Sequence, residues 1–280
     1  ISGGETRQAG ITRVHIEEDT GRLVHQVDAG GAQISLVDLN RSGVPLMEIV
    51  GEPDLRSAEE ARDYLMALRQ ILRYIGVSTG NMEEGAFRCD ANISVRRVGD
   101  PLGAKVEVKN MNSFRAVERA LLFEQERQLQ RFHDGLPIEQ ETRGWVEDRG
   151  ITVSQRTKEQ AHDYRYFPEP DLPPLAISSE MVSSVRERLP ALPVERRARL
   201  LMTYSLGTAD ADQLTTERET ADYFDAVVEN GSSDRAKAAA NWILNDLMAL
   251  QRVRGLPASE LPLSVDQLRE LLDALDEGAL

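Results

Sequence analysis

A single cysteine, Cys89, occurs in 280 residues, so no disulfide can close within the chain. There is no C-x-x-C pair, which removes zinc ribbons from consideration. Cys89 falls among the apolar positions of its segment, as a buried, inert thiol would. A reducing, cytoplasmic setting is the expectation. No apolar run reaches the roughly 20 residues that a membrane-spanning helix needs, and no secretory leader is legible. Neither G-x-x-x-x-G-K nor a G-x-G-x-x-G after a strand is present, so two common nucleotide cradles are excluded. Four histidines without telling spacing define no Ser–His–Asp set. Positive charge is scarce as well: 33 Lys and Arg face 47 Asp and Glu, a net charge of −14. Nonspecific grip on nucleic acid needs basic side chains to replace counterions, so any such contact must come from a local patch or a partner. An acidic chain can also hold divalent cations.

What is present suits a folded protein with a sizeable core. Hydrophobic residues make up 41% and charged residues 29%, and the length allows two domains. ITRVHIEED, ISLVDLN and VPLMEIV read as strands between glycine-containing turns. Residues 56 to 75 read as a helix. Ser57 and Glu60 form a capping box, and Ala61, Tyr64, Leu65, Leu68, Ile71, Leu72 and Ile75 form its apolar stripe. Gly76 is placed to end it. FRCDANISV (87–95) and GAKVEVKN (103–110) alternate strictly, the pattern of half-buried strands. A second helix runs from Ser113 to Gly135, and GWVEDRGITVSQRTK reads as a hairpin turning at Asp148 to Gly150. Four prolines in DYRYFPEPDLPPL (163–175) allow only an extended connector or shaped loop. Beyond residue 178 the pattern is helical, and Ser264 with Gln267 caps a final helix. The expected architecture is an α+β domain over 1–177 and an all-α helical domain over 178–280. Ile1 is not Met, and LRELLDALDEGAL stops within a helical pattern, so the sequence reads as a fragment.

Carboxylates recur inside the strand-like segments. His15, Glu17 and Asp19 fall on one face of VHIEED, with Glu18 opposite. Glu48 lies among apolar residues in PLMEIV, and Asp90 and Glu107 lie in the two alternating strands. Burying a carboxylate is costly unless it is paired or bound to a cation. Several, from different strands, can form an oxygen-rich Mg²⁺ site. Each taken singly is more simply solvent-facing or ion-paired. Lys105 and Lys109 are ready partners for Asp90 and Glu107 across a hairpin.

VHIEEDTG, SLVDLNRSGVPLMEIVGEPD, RCDANISV, EVKNMNSF and DYRYFPEPDLPPL stand here in one order. Together they resemble the GatB/GatE family, the GatB subunits of the glutamyl/aspartyl-tRNA amidotransferases. The resemblance runs over nearly the whole chain and is strongest over residues 9 to 175. It implies an antiparallel-sheet cradle similar to the glutamine synthetase fold, followed by a helical domain and a small tail domain. It also implies a reaction. The side-chain carboxylate of Glu-tRNA(Gln) or Asp-tRNA(Asn) is activated by ATP with Mg²⁺, then amidated by ammonia from the amidase subunit, GatA. A small third subunit, GatC, ties the larger two together.

Residue by residue, the resemblance points to Glu17 or Glu18, with Glu48, Asp90 and Glu107, as holders of Mg²⁺, and to His15 as a further ligand or a group that supports the ligands. Arg88, Asp90, Glu107 and Lys109 are the catalytic candidates. Asn92, Asn110 and Arg165 are candidates for contacts with ATP. The family's opening strand, with its Glu-Val-His motif, and its tail domain do not fall within these residues, so an incomplete site is expected. The basic spot VRERLPALPVERRARL offers Arg186, Arg188, Arg196, Arg197 and Arg199 to tRNA, or simply to water. Two other functions fit the sequence less well: a noncatalytic tRNA-binding scaffold, and a phosphotransferase acting on a small carboxylate.

Overall fold

The structure is a computed structural model that describes residues 7–28, 30–157, 173–174, 176–229, 231–257 and 260–279. Two compact units emerge, Ile1–Tyr64 and Leu65–Leu280. The expected division between residues 177 and 178 falls a few residues after a run, 158–172, that lies outside the described residues.

The first unit holds two antiparallel ladders. Strand β1 (Ile11–Glu18) pairs with β4 (Pro45–Gly51), placing His15 opposite Glu48 and Glu17 opposite Leu46. Strand β2 (Arg22–Val27) pairs with β3 (Gln33–Asp38). The sequence reading did not include β2, because RLVHQV mixes polar and apolar residues without strict alternation. The turn chemistry supplies it. Asp28 Oδ1 accepts the N–H groups of Gly30 and Ala32, at 2.8 and 2.9 Å, and folds the chain back. Helix α1 (Ala58–Tyr74) follows. Ser57 Oγ accepts the Glu60 N–H at 3.1 Å. The return bond from Glu60 goes to the Arg56 N–H at 2.6 Å, one residue earlier than a standard capping box. Gly76 takes the left-handed conformation expected of a helix stop, φ 75°.

The second unit is built on a four-stranded sheet in the order β5 (Ala91–Ile93), β6 (Val106–Lys109), β7 (Glu141–Val146), β8 (Ile151–Thr157). The expected antiparallel sheet is corrected here: β6 and β7 run parallel, while the outer pairs are antiparallel. The cause is helix α2 (Phe114–His133), which carries the chain back before β7 begins, as a parallel neighbour requires. FRCDANISV is also shorter as a strand than its alternation suggests. Only Ala91–Ile93 join the ladder, because the Val95 N–H is given to Gln128 Oε1 on α2 at 3.1 Å. Ser113 caps α2 by accepting the Ala116 N–H at 3.0 Å. Ala116, Val117, Ala120 and Leu121 form the helix's buried apolar face, and Val106 and Val108 of β6 are fully buried. The hairpin β7–β8 turns through residues 147–149 to Gly150, as expected.

Helices follow: α3 (Ser179–Arg188), α4 (Pro193–Tyr204), α5 (Thr208–Leu214), α6 (Arg218–Val227), α7 (Ser233–Asn241), α8 (Met248–Arg254) and α9 (Val265–Asp276). Their shared core contains Leu200, Leu214, Phe224, Ile243, Leu268 and Leu272. Ala236, Ala239 and Ala240 are buried on α7, where small side chains let neighbouring helices come close. Between α7 and α8 the helix widens into a π segment, Trp242–Leu247, which turns Ile243, Leu244 and Leu247 inward. The end of α1 is tied to these helices. Tyr74 donates to the Thr215 carbonyl at 2.6 Å, and Arg73 pairs with Glu217 at 2.6 Å. Burial pushes the Tyr74 phenol up to about 12. Both components of the expected fold class, a β-containing part and a helical part, are present. No helix among the described residues is long and apolar enough to cross a membrane.

Candidate functional site

The four-stranded sheet has two unlike faces, set by the alternation of its strands. Register places Asn92, Glu107 and Thr142 side by side on one face, with Lys109 beside Gly144. The opposite face carries Val106, Val108, Glu141, Arg143 and Trp145.

On the first face Lys109 joins two carboxylates. Its Nζ lies 2.9 Å from Asp90 Oδ2 and 3.7 Å from Glu107 Oε1. Lys109, rather than Lys105, is thus the partner of both acids. The side chains of Asp90, Lys109 and Glu107 are 51%, 33% and 15% exposed, so the array runs from water into the sheet. Thr142 closes its inner end by donating from Oγ1 to Glu107 Oε2 at 2.9 Å. Next to Lys109, Gly144 presents no side chain. A Cβ there would clash with the side-chain amide nitrogen of Gln155 and come within 3.0 Å of that of Asn110. Asn110 adopts φ 66°, a left-handed conformation that asparagine tolerates, and turns the chain out of β6. Arg88 and Asn92 are exposed. Cys89, on the other side of the segment, is partly covered; burial, then the nearby charge of Asp90, pushes its thiol up to about 12 and keeps it protonated.

The reverse face holds a second charged cluster, largely enclosed and centred on a fully buried acid. Glu124 of α2 is 0% exposed. Its carboxylate accepts from Arg127 Nη2 at 2.6 Å, Gln128 Nε2 at 3.0 Å and Thr152 Oγ1 at 2.9 Å, and Arg143 Nε lies 3.4 Å away. Glu141 pairs with Arg143 at 2.9 Å and Arg127 at 3.2 Å. Burial pushes the Glu141 carboxyl up, but hydrogen bonds from Ser154 and Arg143 and the two arginine charges outweigh it and hold it below the usual range.

In the first unit, His15 and Glu48 share the polar face of the β1–β4 ladder, and Arg13 lies 3.6 Å from Glu48. Glu48 is less confined than its apolar neighbours in sequence suggest. Its side chain is 42% exposed, because β1 and β4 form an open two-stranded ladder. Glu17 and Glu18 are exposed on opposite sides of β1. Asp19 lies beyond the strand, buried, and pairs with Arg41 at 2.9 Å. Among the described residues no three His, Cys, Asp or Glu side chains converge to hold a metal ion.

The five arginines of the basic spot separate. Arg186 and Arg188 are exposed on the last turn of α3. Arg197 pairs with Asp212, and Arg199 with Asp225 at 2.5 Å. Arg196 is not at the surface: it is 8% exposed, lies over the Tyr74 ring and pairs with Asp222 at 2.5 Å. Arg165 lies outside the described residues. The sequence reading missed Thr142, Gly144 and Gln155. ETRGWV does not alternate polar with apolar residues, and only the parallel register brings Thr142 beside Glu107.

Carboxylates, amides and one ammonium on the open face of a sheet mark an α+β protein in which that face has the chemistry to meet cations or phosphate groups. Comparison with known proteins makes this more specific. Residues 1–183 match the GatB/GatE catalytic domain and residues 222–280 match the GatB domain. The chain belongs to the GatB/GatE family. It is 55% identical, over 99% of its length, to an aspartyl/glutamyl-tRNA(Asn/Gln) amidotransferase subunit of Thermomicrobium roseum. Proteins of the same name from Dehalococcoides mccartyi and Moorella thermoacetica are 54% and 52% identical over 94% and 99% of the chain. The chain covers 57%, 55% and 58% of these three relatives, a little over half of their length.

Proposed function

We propose that these residues belong to the part of an amidotransferase subunit that activates the side-chain carboxylate of Glu-tRNA(Gln), Asp-tRNA(Asn) or both. ATP is the phosphoryl donor. Ammonia from an amidase partner, GatA, then displaces phosphate to give the amide, in a cytoplasmic complex that also contains the small GatC. The observation that carries this reading is the Asp90–Lys109–Glu107 array, which lies within the stretch matching the family's catalytic domain. A cradle related to the glutamine synthetase fold is part of the same proposal. A purely scaffolding role is not favoured, because such a role gives this half-open array no purpose.

The donor set fits Mg²⁺. Asp90 and Glu107 offer hard oxygens near one another, and Mg²⁺ is commonly held by one or two carboxylates with water and substrate phosphates. When bound, Mg²⁺ supplies neutralising charge for a transferring phosphoryl group. Within the first unit, Glu48, His15 and either Glu17 or Glu18 are proposed separately as metal-binding groups. Lys109 and Arg88 offer cations to phosphate oxygens, and Asn92, Asn110 and Arg165 orient the nucleotide. Contacts to the tRNA backbone are assigned first to exposed Arg186 and Arg188, then to Arg197 and Arg199.

Glu107→Gln tests the proposal, since it keeps shape and removes charge. In the full-length subunit within its complex, ATP-dependent phosphate release should fall by orders of magnitude while tRNA affinity changes little. Near-normal phosphate release with intact Mg²⁺ dependence would move the site elsewhere.

A further inference from the structure

We infer that Thr142 is a positioning residue for Glu107, an inference that rests on reading Glu107 as part of the site. Thr142 is 2% exposed, and its hydroxyl donates to Glu107 Oε2 at 2.9 Å. The other oxygen, Oε1, faces Lys109, which also holds Asp90. One hydroxyl therefore fixes one oxygen of the carboxylate and turns the second toward the array. Without it, Oε2 loses this hydrogen bond and the terminal torsion, which has a broad, roughly two-fold profile, is less restrained.

Thr142 is itself held from both sides. Its β-branched side chain is stiff at χ1. Its backbone is paired with Glu107 in the parallel ladder. Its chain neighbours, Glu141 and Arg143, point to the enclosed face and bond to each other at 2.9 Å. Arg143 is further fixed to Thr152, Nε to Oγ1 at 2.8 Å and Nη2 to the carbonyl at 2.8 Å. Rotation or slippage of β7 at residue 142 would break these bonds. The enclosed cluster thus sets Thr142, and Thr142 sets Glu107.

The test uses the full-length subunit in its assembled complex, with ATP and misacylated tRNA. Thr142→Val keeps the shape and removes the donor. It should lower kcat for phosphate release about ten- to a hundredfold, the range for losing a hydrogen bond to a charged group. KM for the tRNA should stay within about twofold, since the bond acts on the reacting end only. Thr142→Ser restores the hydroxyl and should recover most of the rate. Combining Thr142→Val with Glu107→Gln should cost no more than Glu107→Gln alone, because the two residues act as one unit. A normal kcat in Thr142→Val, or full multiplication of the two effects, overturns the inference while leaving the site in place. Normal turnover in Glu107→Gln overturns the site and the inference together. Should Thr142→Val fail to fold, Thr142→Ala set against Thr142→Ser gives the same comparison.

Discussion

On one face of the four-stranded sheet an acid pair shares a lysine; on the other, an acid pair shares two arginines. The ingredients are alike and the surroundings are not. Asp90 and Lys109 reach water, so each can exchange its partner for an incoming ion at modest cost. Glu124 has no such freedom: every hydrogen bond it makes is internal, and it is fully enclosed. The enclosed cluster fixes geometry, and the open one is the part proposed for chemistry. The choice of cation fits this division. Guanidinium has a planar fork that suits a static network, whereas ammonium is a compact charge on a flexible stem.

Three sets of substitutions sharpen that contrast, from the largest expected effect to the smallest. Glu124→Ala removes the carboxylate and leaves Glu141 as the acidic partner shared by Arg127 and Arg143. The expected loss is about 3–5 kcal/mol of unfolding free energy, the usual cost of breaking a buried ion pair. Urea denaturation of the full-length protein measures it, and a loss below about 1 kcal/mol would show the network to be dispensable. Arg196→Ala removes a buried guanidinium from the Tyr74 ring and from Asp222, which is half exposed and can rehydrate. About 1–3 kcal/mol should be lost in the same assay. By contrast, Arg186→Ala and Arg188→Ala should leave stability unchanged and each reduce the salt slope of tRNA binding by about one. The reverse pattern would return Arg196 to the RNA-facing surface. Lys109→Ala should cost no more than about 1 kcal/mol of stability, as expected for a half-exposed ion pair. A larger loss would mean that the open face is as structural as the enclosed one.

Much of this was legible in the sequence. Alternation in GAKVEVKN identified Glu107 and Lys109 as neighbours on one side, because a two-residue period is local information. Ser113 and Gly135 marked α2 for the same reason: caps are written within a few residues of the helix end. The link from Thr142 to Glu107 was not legible, because it depends on the parallel register of two strands separated by a helix. Glu124 was equally hidden. A glutamate within ERALLFEQERQ looks like part of a solvated helix face until Arg143 and Thr152 of other segments are brought against it. Arg196 was misleading in the opposite sense. Among four other arginines it looked like part of a basic surface, yet the helical packing turns it inward.

The parallel pairing of β6 with β7 also bears on how the array is assembled. Thr142 and Glu107 are 35 residues apart, whereas β7 and β8 meet across a short turn between Val146 and Ile151. Loop-closure entropy grows as the logarithm of that separation, and for an unstructured connection the longer closure costs roughly 1.5–2 kcal/mol more. The hairpin and α2 are local and form cheaply; the β6–β7 seam must wait until α2 has shortened the gap. The carboxylate proposed for chemistry is therefore oriented across the join in its sheet with the higher closure cost, not across the hairpin.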